Sequence, residues 1–153
     1  ADSVGYKPKI ILAGRQLNDN MGNYVVLKLI KKMENKNIQI KGAKILIMGL
    51  TFKENCPDLR NSGIEKVISS LKKYELNIDL QDPWAHKEEI KKIYNNYPIS
   101  KPSKNTYDAV LVAVAHNEYK TLGFSYIKNL CKKVHVIFDL KNLFNSNQVD
   151  FKL

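Results

Sequence analysis

Apolar residues follow two different rhythms along this chain. From Pro8 to Asn35, Ile10, Leu17, Met21, Tyr24, Val25 and Leu29 recur at helical spacing. This predicts a single helix of about 26 residues, ~39 Å long at 1.5 Å per residue. Gly14 and Gly22 fall eight apart on one face, where a second backbone can approach closely. The helix is therefore expected to belong to a different layer, with an apolar face that needs a partner; packing on its own sheet is the alternative. After Lys41-Gly42 the pattern alternates. It predicts a strand over Ala43–Met48, then a helix over Ser62–Tyr74 with Ile64, Val67, Ile68 and Leu71 on one face. A strand over Asn77–Leu80 and a polar helix over His86–Asn95 follow. Ala109–Ala115 is a continuous apolar run, as a strand covered on both faces requires. A helix over Phe124–Cys131 and a strand over Val134–Phe138 complete the series, and the polar tail beyond Phe144 is expected to be loose. Strands separated by helices of this length imply crossovers and a three-layer α/β parallel sheet behind a long N-terminal helix.

Composition narrows the class. A chain of 153 residues, 44% hydrophobic and 26% charged, has room for one core. No apolar run approaches the ~20 residues of a membrane span, and no signal-peptide pattern opens the chain. Cys56 and Cys131 have neither zinc-ligand nor CxxC spacing, so a reduced, cytoplasmic setting is expected. The formal net charge of +10 raises the question of nucleic acid. The lysines, however, are scattered singly and in pairs (Lys31-Lys32, Lys72-Lys73, Lys91-Lys92, Lys132-Lys133), without a basic arm or a nucleic-acid-binding signature. They read as a solvated surface that attracts anionic ligands. Only Arg15 and Arg60 among the 25 basic residues are arginine. Where lysine suffices for plain charge, arginine marks a need for a planar, bidentate fork.

In a parallel sheet, ligands gather beyond the carboxyl ends of the strands, near the switch in strand order. That singles out the loops Leu50–Asn61, Gln81–Ala85, His116–Tyr119 and Asp139–Asn142. The first packs Lys53, Asp58 and Arg60 between a buried strand and a helix start, an arrangement suited to phosphate. Asp82 has two readings: a ribose contact at the end of a second strand, or ordinary Asp-Pro turn chemistry. His116 likewise is either a ligand contact or a strand-end cap. Cys56 lies in the first loop but has no histidine near it in sequence to activate it, and is expected to be a packing residue. No GxGxxG follows any strand, so this is not the usual dinucleotide-binding unit.

GLTFKENCPDLRNS, DPWA after the next strand, YDAVLVAVAH and FDLKN occur in that order. Together they resemble the UDP-binding C-terminal domain of the UDP-glucose/GDP-mannose dehydrogenase family, closest to the bacterial UDP-N-acetylhexosamine 6-dehydrogenases of surface-polysaccharide synthesis. GYKPKIILAGRQLNDNMGNYV resembles the last helix of the family's central domain. The resemblance implies a Rossmann-like three-layer sheet at residues 37–153, preceded by the closing helix of a central dimerisation domain at residues 1–36. It also implies an enzyme that oxidises the 6-hydroxyl of a UDP-sugar with two NAD, and a homodimer formed through the N-terminal helix. The family's NAD-binding domain and catalytic cysteine match nothing in these residues, so the chain is expected to be an inactive fragment on its own. Position by position, Phe52 and Lys53 correspond to residues lying against the substrate, and Arg60 to one facing the NAD side. Lys141 stands where relatives often carry a substrate-contacting arginine, which keeps the charge and loses the fork. Asn18 and Asp19 match a recurrent pair expected to be structural or interfacial. A free-standing nucleotide-binding or regulatory module is the competing reading.

Overall fold

Ile45, Leu46, Ile47 and Met48 are all buried because their strand lies inside the sheet and is covered on both faces. The computed structural model describes residues 9–153, with side chains from Asn20 onward. The elements are α1 (Lys9–Asn35), β1 (Lys44–Met48), α2 (Ile64–Leu71, continued by a 3-10 turn at Lys72–Tyr74), β2 (Asn77–Gln81), α3 (Lys87–Tyr94), β3 (Tyr107–Val112), α4 (Asn117–Leu130), β4 (Cys131–Asp139) and β5 (Phe151–Lys152). The sheet is parallel throughout, in the order β2-β1-β3-β4-β5. Strand order therefore reverses between β1 and β3.

Alternation along the strands divides the core in two. Ile45, Ile47, Ala109, Leu111, Val136 and Phe138 face a cluster completed by α1, α2 and α3. Leu46, Met48, Val110, Val112 and Ile137 face Tyr119, Ile127 and Leu130 of α4. Each fully buried Leu or Ile contributes about 1.5–3 kcal/mol of transfer free energy.

Three expectations change. The described half of α1 packs on its own sheet, with Val25, Val26, Leu29, Ile30 and Met33 buried in the first cluster. Gly22 does admit a close backbone, but it is that of α2: a Cβ at Gly22 would lie 2.8 Å from Lys66 Cβ and 3.2 Å from the Val67 nitrogen. Gly14, Asn18 and Asp19 lie outside the described side chains. The helix before β4 begins at Asn117, seven residues ahead of Phe124, and its helical geometry is interrupted at Gly123 (φ 72°). The tail is not loose, because Phe151 pairs with Phe138 in the β5 ladder and their rings stack at 4.6 Å. Asp150 accepts from the Ile137 amide at 2.9 Å while its own amide donates to the Ile137 carbonyl. A two-residue strand is too short to leave a periodicity.

Candidate functional site

β1 ends at the reversal of strand order, and Gly49 makes the turn. Its φ is +90°, and a Cβ there would lie 2.6 Å from Val114 Cβ and 2.7 Å from the Val114 nitrogen. Only glycine allows both the conformation and the approach. The Gly49 amide donates to the Gln81 carbonyl, and the Ala113 amide to the Met48 carbonyl, so the ends of β2, β1 and β3 stay level.

Asp82 holds this corner together. Its Oδ2 accepts from the Leu50 amide at 2.6 Å, and its Oδ1 from the amides of Trp84 (2.8 Å) and Ala85 (2.9 Å). His116 Nε2 lies 3.2 Å from Oδ2. The carboxylate is thus committed to the protein, and of its two readings the structure supports the turn. Burial alone would push this carboxyl up. The His116 hydrogen bond and the three amides outweigh burial and hold it below the ordinary carboxylate range. His116 is completely buried: its Nδ1 accepts from the Asn55 amide at 3.0 Å, and Nε2 lies 3.3 Å from Thr51 Oγ1. It holds strand and loop ends together from the interior.

Beside this corner a cavity of about 220 Å³ opens at the carboxyl ends of β1, β3 and β4, walled by α1 and α2. Phe52 and Lys141 both line it, with Val67, Ala113 and Leu140 among its apolar residues and Thr51, Ser62 and Gly63 on its polar side. Phe52 is 58% exposed at its lip. Lys141 is presented by a turn whose geometry Asp139 dictates: this buried carboxylate accepts from the amides of Lys141 (3.0 Å) and Phe144 (2.8 Å). Lys53 is exposed and adjoins Phe52. Neither Lys53 nor Lys141 pairs with a carboxylate among the described residues.

Arg60 stands apart from that cavity. Its fork closes on Asp58, Nε to Oδ1 at 3.0 Å and Nη2 to Oδ2 at 2.8 Å, and its amide donates to Oδ1 as well. These bonds hold the Asp58 carboxyl down to about 2, and the same pairing raises the guanidinium's pKa. The guanidinium side chain is 85% exposed and edges an open groove of about 740 Å³ with His86, Glu89 and Lys92. The structure therefore brings Phe52 and Lys141 together and puts Arg60 in a separate, neighbouring groove. Cys56 is half-buried in the loop between them, and Cys131 is buried, its thiol pushed up to about 12 by desolvation.

Thr51 and Asn55 are the residues that sequence reasoning passed over. Asn55 has φ 55°, a left-handed conformation that asparagine tolerates better than most side chains. Its Oδ1 accepts from the Asn117 amide at 3.0 Å, completing the first turn of α4 from a distant loop. An asparagine inside a loop between strand and helix was the available signal. No helix among the described residues is long and apolar enough to cross a membrane.

Comparison with known proteins bears on the same residues. A model of the UDP-glucose/GDP-mannose dehydrogenase family, UDP binding domain, matches residues 46–146. The chain is 46% identical over 153 residues to the UDP-N-acetyl-D-glucosamine 6-dehydrogenase of Pseudomonas aeruginosa, covering 100% of this chain and 36% of that protein. It is 41% identical over 150 residues to the protein CapL of Staphylococcus aureus, covering 98% and 35%. The solved UDP-N-acetyl-mannosamine dehydrogenase of S. aureus superposes with a TM-score of 0.71 at 26% identity, over 94% of this chain and 32% of that one. A UDP-glucose dehydrogenase from Pyrobaculum islandicum shares the fold, with a TM-score of 0.79 at 21% identity over 99% and 33%. The chain spans about a third of the length of the curated relatives it matches.

Proposed function

The chain belongs to the UDP-glucose/GDP-mannose dehydrogenase family, and we propose that it is the UDP-sugar-binding domain of an NAD-dependent UDP-N-acetylhexosamine 6-dehydrogenase of surface-polysaccharide synthesis. The observation that carries this reading is the cavity at the β1/β3 reversal, lined by Phe52 and Lys141, with Lys53 beside it and neither lysine neutralised among the described residues. A site with an apolar interior and two available ammonium groups suits a ligand that joins a ring to a diphosphate.

In this reading Phe52 lies against the ligand, and Lys53 and Lys141 meet its anionic and hydroxyl oxygens. Binding energy from the nucleotide, remote from the reacting carbon, then positions the sugar's C6 hydroxyl for oxidation. Closure of this domain over the ligand excludes water. NAD, when bound, supplies the hydride acceptor. The groove at Arg60 offers it only an edge: Lys92 and the outer side of Arg60, whose fork is closed on Asp58, face a dinucleotide's phosphates, and the rest of the cofactor belongs to an N-terminal NAD-binding domain. In this reading residues 1–36 belong to a central dimerisation domain. Exposed Tyr24 and Leu27 on α1 support a homodimer through it. The enzyme works in the cytoplasm, where UDP-sugars and NAD are available.

The test is NADH formation by the full-length protein with a panel of UDP-sugars. Turnover with a UDP-N-acetylhexosamine is expected, with two NADH formed per sugar. Failure to reduce NAD with every UDP-sugar would overturn the proposal.

A further inference from the structure

No part of His116 is exposed, and its two ring nitrogens meet partners of opposite kind. Nδ1 accepts from the Asn55 amide at 3.0 Å, which only an unprotonated nitrogen can do. Nε2 must then carry the ring hydrogen, and it lies 3.2 Å from Asp82 Oδ2 and 3.3 Å from Thr51 Oγ1. The Thr51 hydroxyl hydrogen is already committed to the Lys53 carbonyl at 3.0 Å, so its oxygen is left to accept from the ring. Every donor direction agrees with the neutral Nε2–H tautomer. Either alternative, an imidazolium or the Nδ1–H tautomer, would set a ring hydrogen against the Asn55 amide hydrogen.

The segment these bonds fix is Thr51–Asn55, which contains Phe52 and Lys53. Its other ties are short as well: the Phe52 amide donates to the Asp58 carbonyl at 2.7 Å, and Asn55 caps α4 through Asn117. His116 thus sits where the ends of β1, β2 and β3 converge, and connects the ligand-facing loop to all three. Tyr119 braces the ring edge-on, with centroids 5.5 Å apart.

Resting on the UDP-sugar reading of this site, we propose that His116 is a positioning residue: without touching ligand, it holds Thr51–Asn55 in the conformation that presents Phe52 and Lys53 to the nucleotide sugar. A merely structural histidine would affect stability and nothing more. A positioning one also sets the local order of the loop and the affinity for UDP.

Two variants separate these roles. His116→Phe keeps a ring but removes both nitrogens, which leaves the Asn55 amide without an acceptor. Thr51→Val changes no ring atom, is nearly isosteric, and removes the link to the Lys53 carbonyl; because Thr51 itself lines the cavity it is read by amide exchange, and it keeps that test open if the His116 variant does not fold. Ring ¹⁵N shifts of the unaltered chain should report Nδ1 unprotonated and Nε2 protonated. In either variant, amide exchange at Phe52–Asn55 should accelerate about tenfold relative to β3, the worth of one buried hydrogen bond. In the full-length protein carrying the His116 substitution, the Kd for UDP should rise by a similar factor, with KM for the UDP-sugar rising more than kcat falls. An Nδ1-protonated ring, or exchange in the loop that changes only in step with β3, would overturn the positioning role. So would faster loop exchange with an unchanged Kd for UDP. Failure of the unaltered full-length protein to bind UDP would instead overturn the functional reading and the affinity part of this proposal, while the exchange result would still decide the loop part.

Discussion

At the amino ends of the strands, Lys44 lies 3.2 Å from Asp79 and Lys132 lies 2.8 Å from Asp108, while Lys36 and Lys41 pair with Asp150 and Glu75. At the carboxyl ends, Asp82 and Asp139 turn inward onto backbone amides, and Lys53 and Lys141 meet no carboxylate among the described residues. One lysine-rich composition thus serves two purposes. At the amino end opposite charges neutralise each other across neighbouring strands. At the carboxyl end the acids fold the loops and leave the lysines' positive charge for an incoming anion. Net charge does not separate these uses; the partner of each carboxylate does.

Breaking the carboxyl end at its acid should produce the largest effect. Asp82→Ala removes a buried carboxylate that three amides and a histidine depend on, and should cost about 3 kcal/mol in urea unfolding. The pH dependence follows in sign. With its folded pKa below the ordinary value, Asp82 adds stability that is fully present above about pH 4 and is lost as pH falls through the lower folded value. Asp82→Asn should therefore flatten the acid limb of the stability profile. Next comes Gly49→Ala, which forces a Cβ against the Val114 backbone at positive φ and should cost about 2 kcal/mol by the same measurement.

The two sets of lysines should then respond in opposite ways. Lys53→Ala or Lys141→Ala should weaken UDP binding about tenfold in the full-length protein, read by calorimetry, with stability within ~0.5 kcal/mol. Lys132→Ala should leave UDP affinity unchanged and cost about 0.5–1 kcal/mol of stability, because its partner Asp108 is partly buried. Arg60→Lys should have the smallest effect on folding, with no measurable loss of stability. The Asp58 carboxyl, now held at about 2, should move back toward its ordinary value in an NMR titration as the bidentate fork is lost.

These contrasts also define what could be read from the chain in advance. The sheet was legible because Ile45–Met48 and Ala109–Ala115 are continuous apolar runs, and buried parallel strands demand such runs. The family resemblance set Phe52 beside Lys53 and named Lys141 separately; the fold brings Phe52 and Lys141 to one cavity from loops 89 residues apart in sequence. Arg60 was expected to present its fork to an incoming ligand; in the structure that fork closes on Asp58, two residues away, a contact that the general rarity of arginine in this chain cannot reveal. The framework of the site was legible only in part: the turn at Asp82 and the strand-end cap at His116 were among the readings, but not the distant partners they hold. His116 and Asp82 act through directed hydrogen bonds to backbone groups of other loops, and such bonds leave no periodic pattern. Six of the seven non-glycine residues with positive φ among those described are asparagine, a turn role that no periodicity announces.

The central claim is that the carboxyl end of this sheet receives a uridine diphosphate group and the amino end does not. A ¹⁵N chemical-shift titration of the chain with UDP tests it directly, since it reads even millimolar affinity residue by residue. Shifts are predicted at Thr51–Lys53, Ser62–Gly63 and Leu140–Lys141, with Ala43, Lys132 and Lys133 unmoved. Shifts centred on the amino end, or none at saturating UDP, would contradict it.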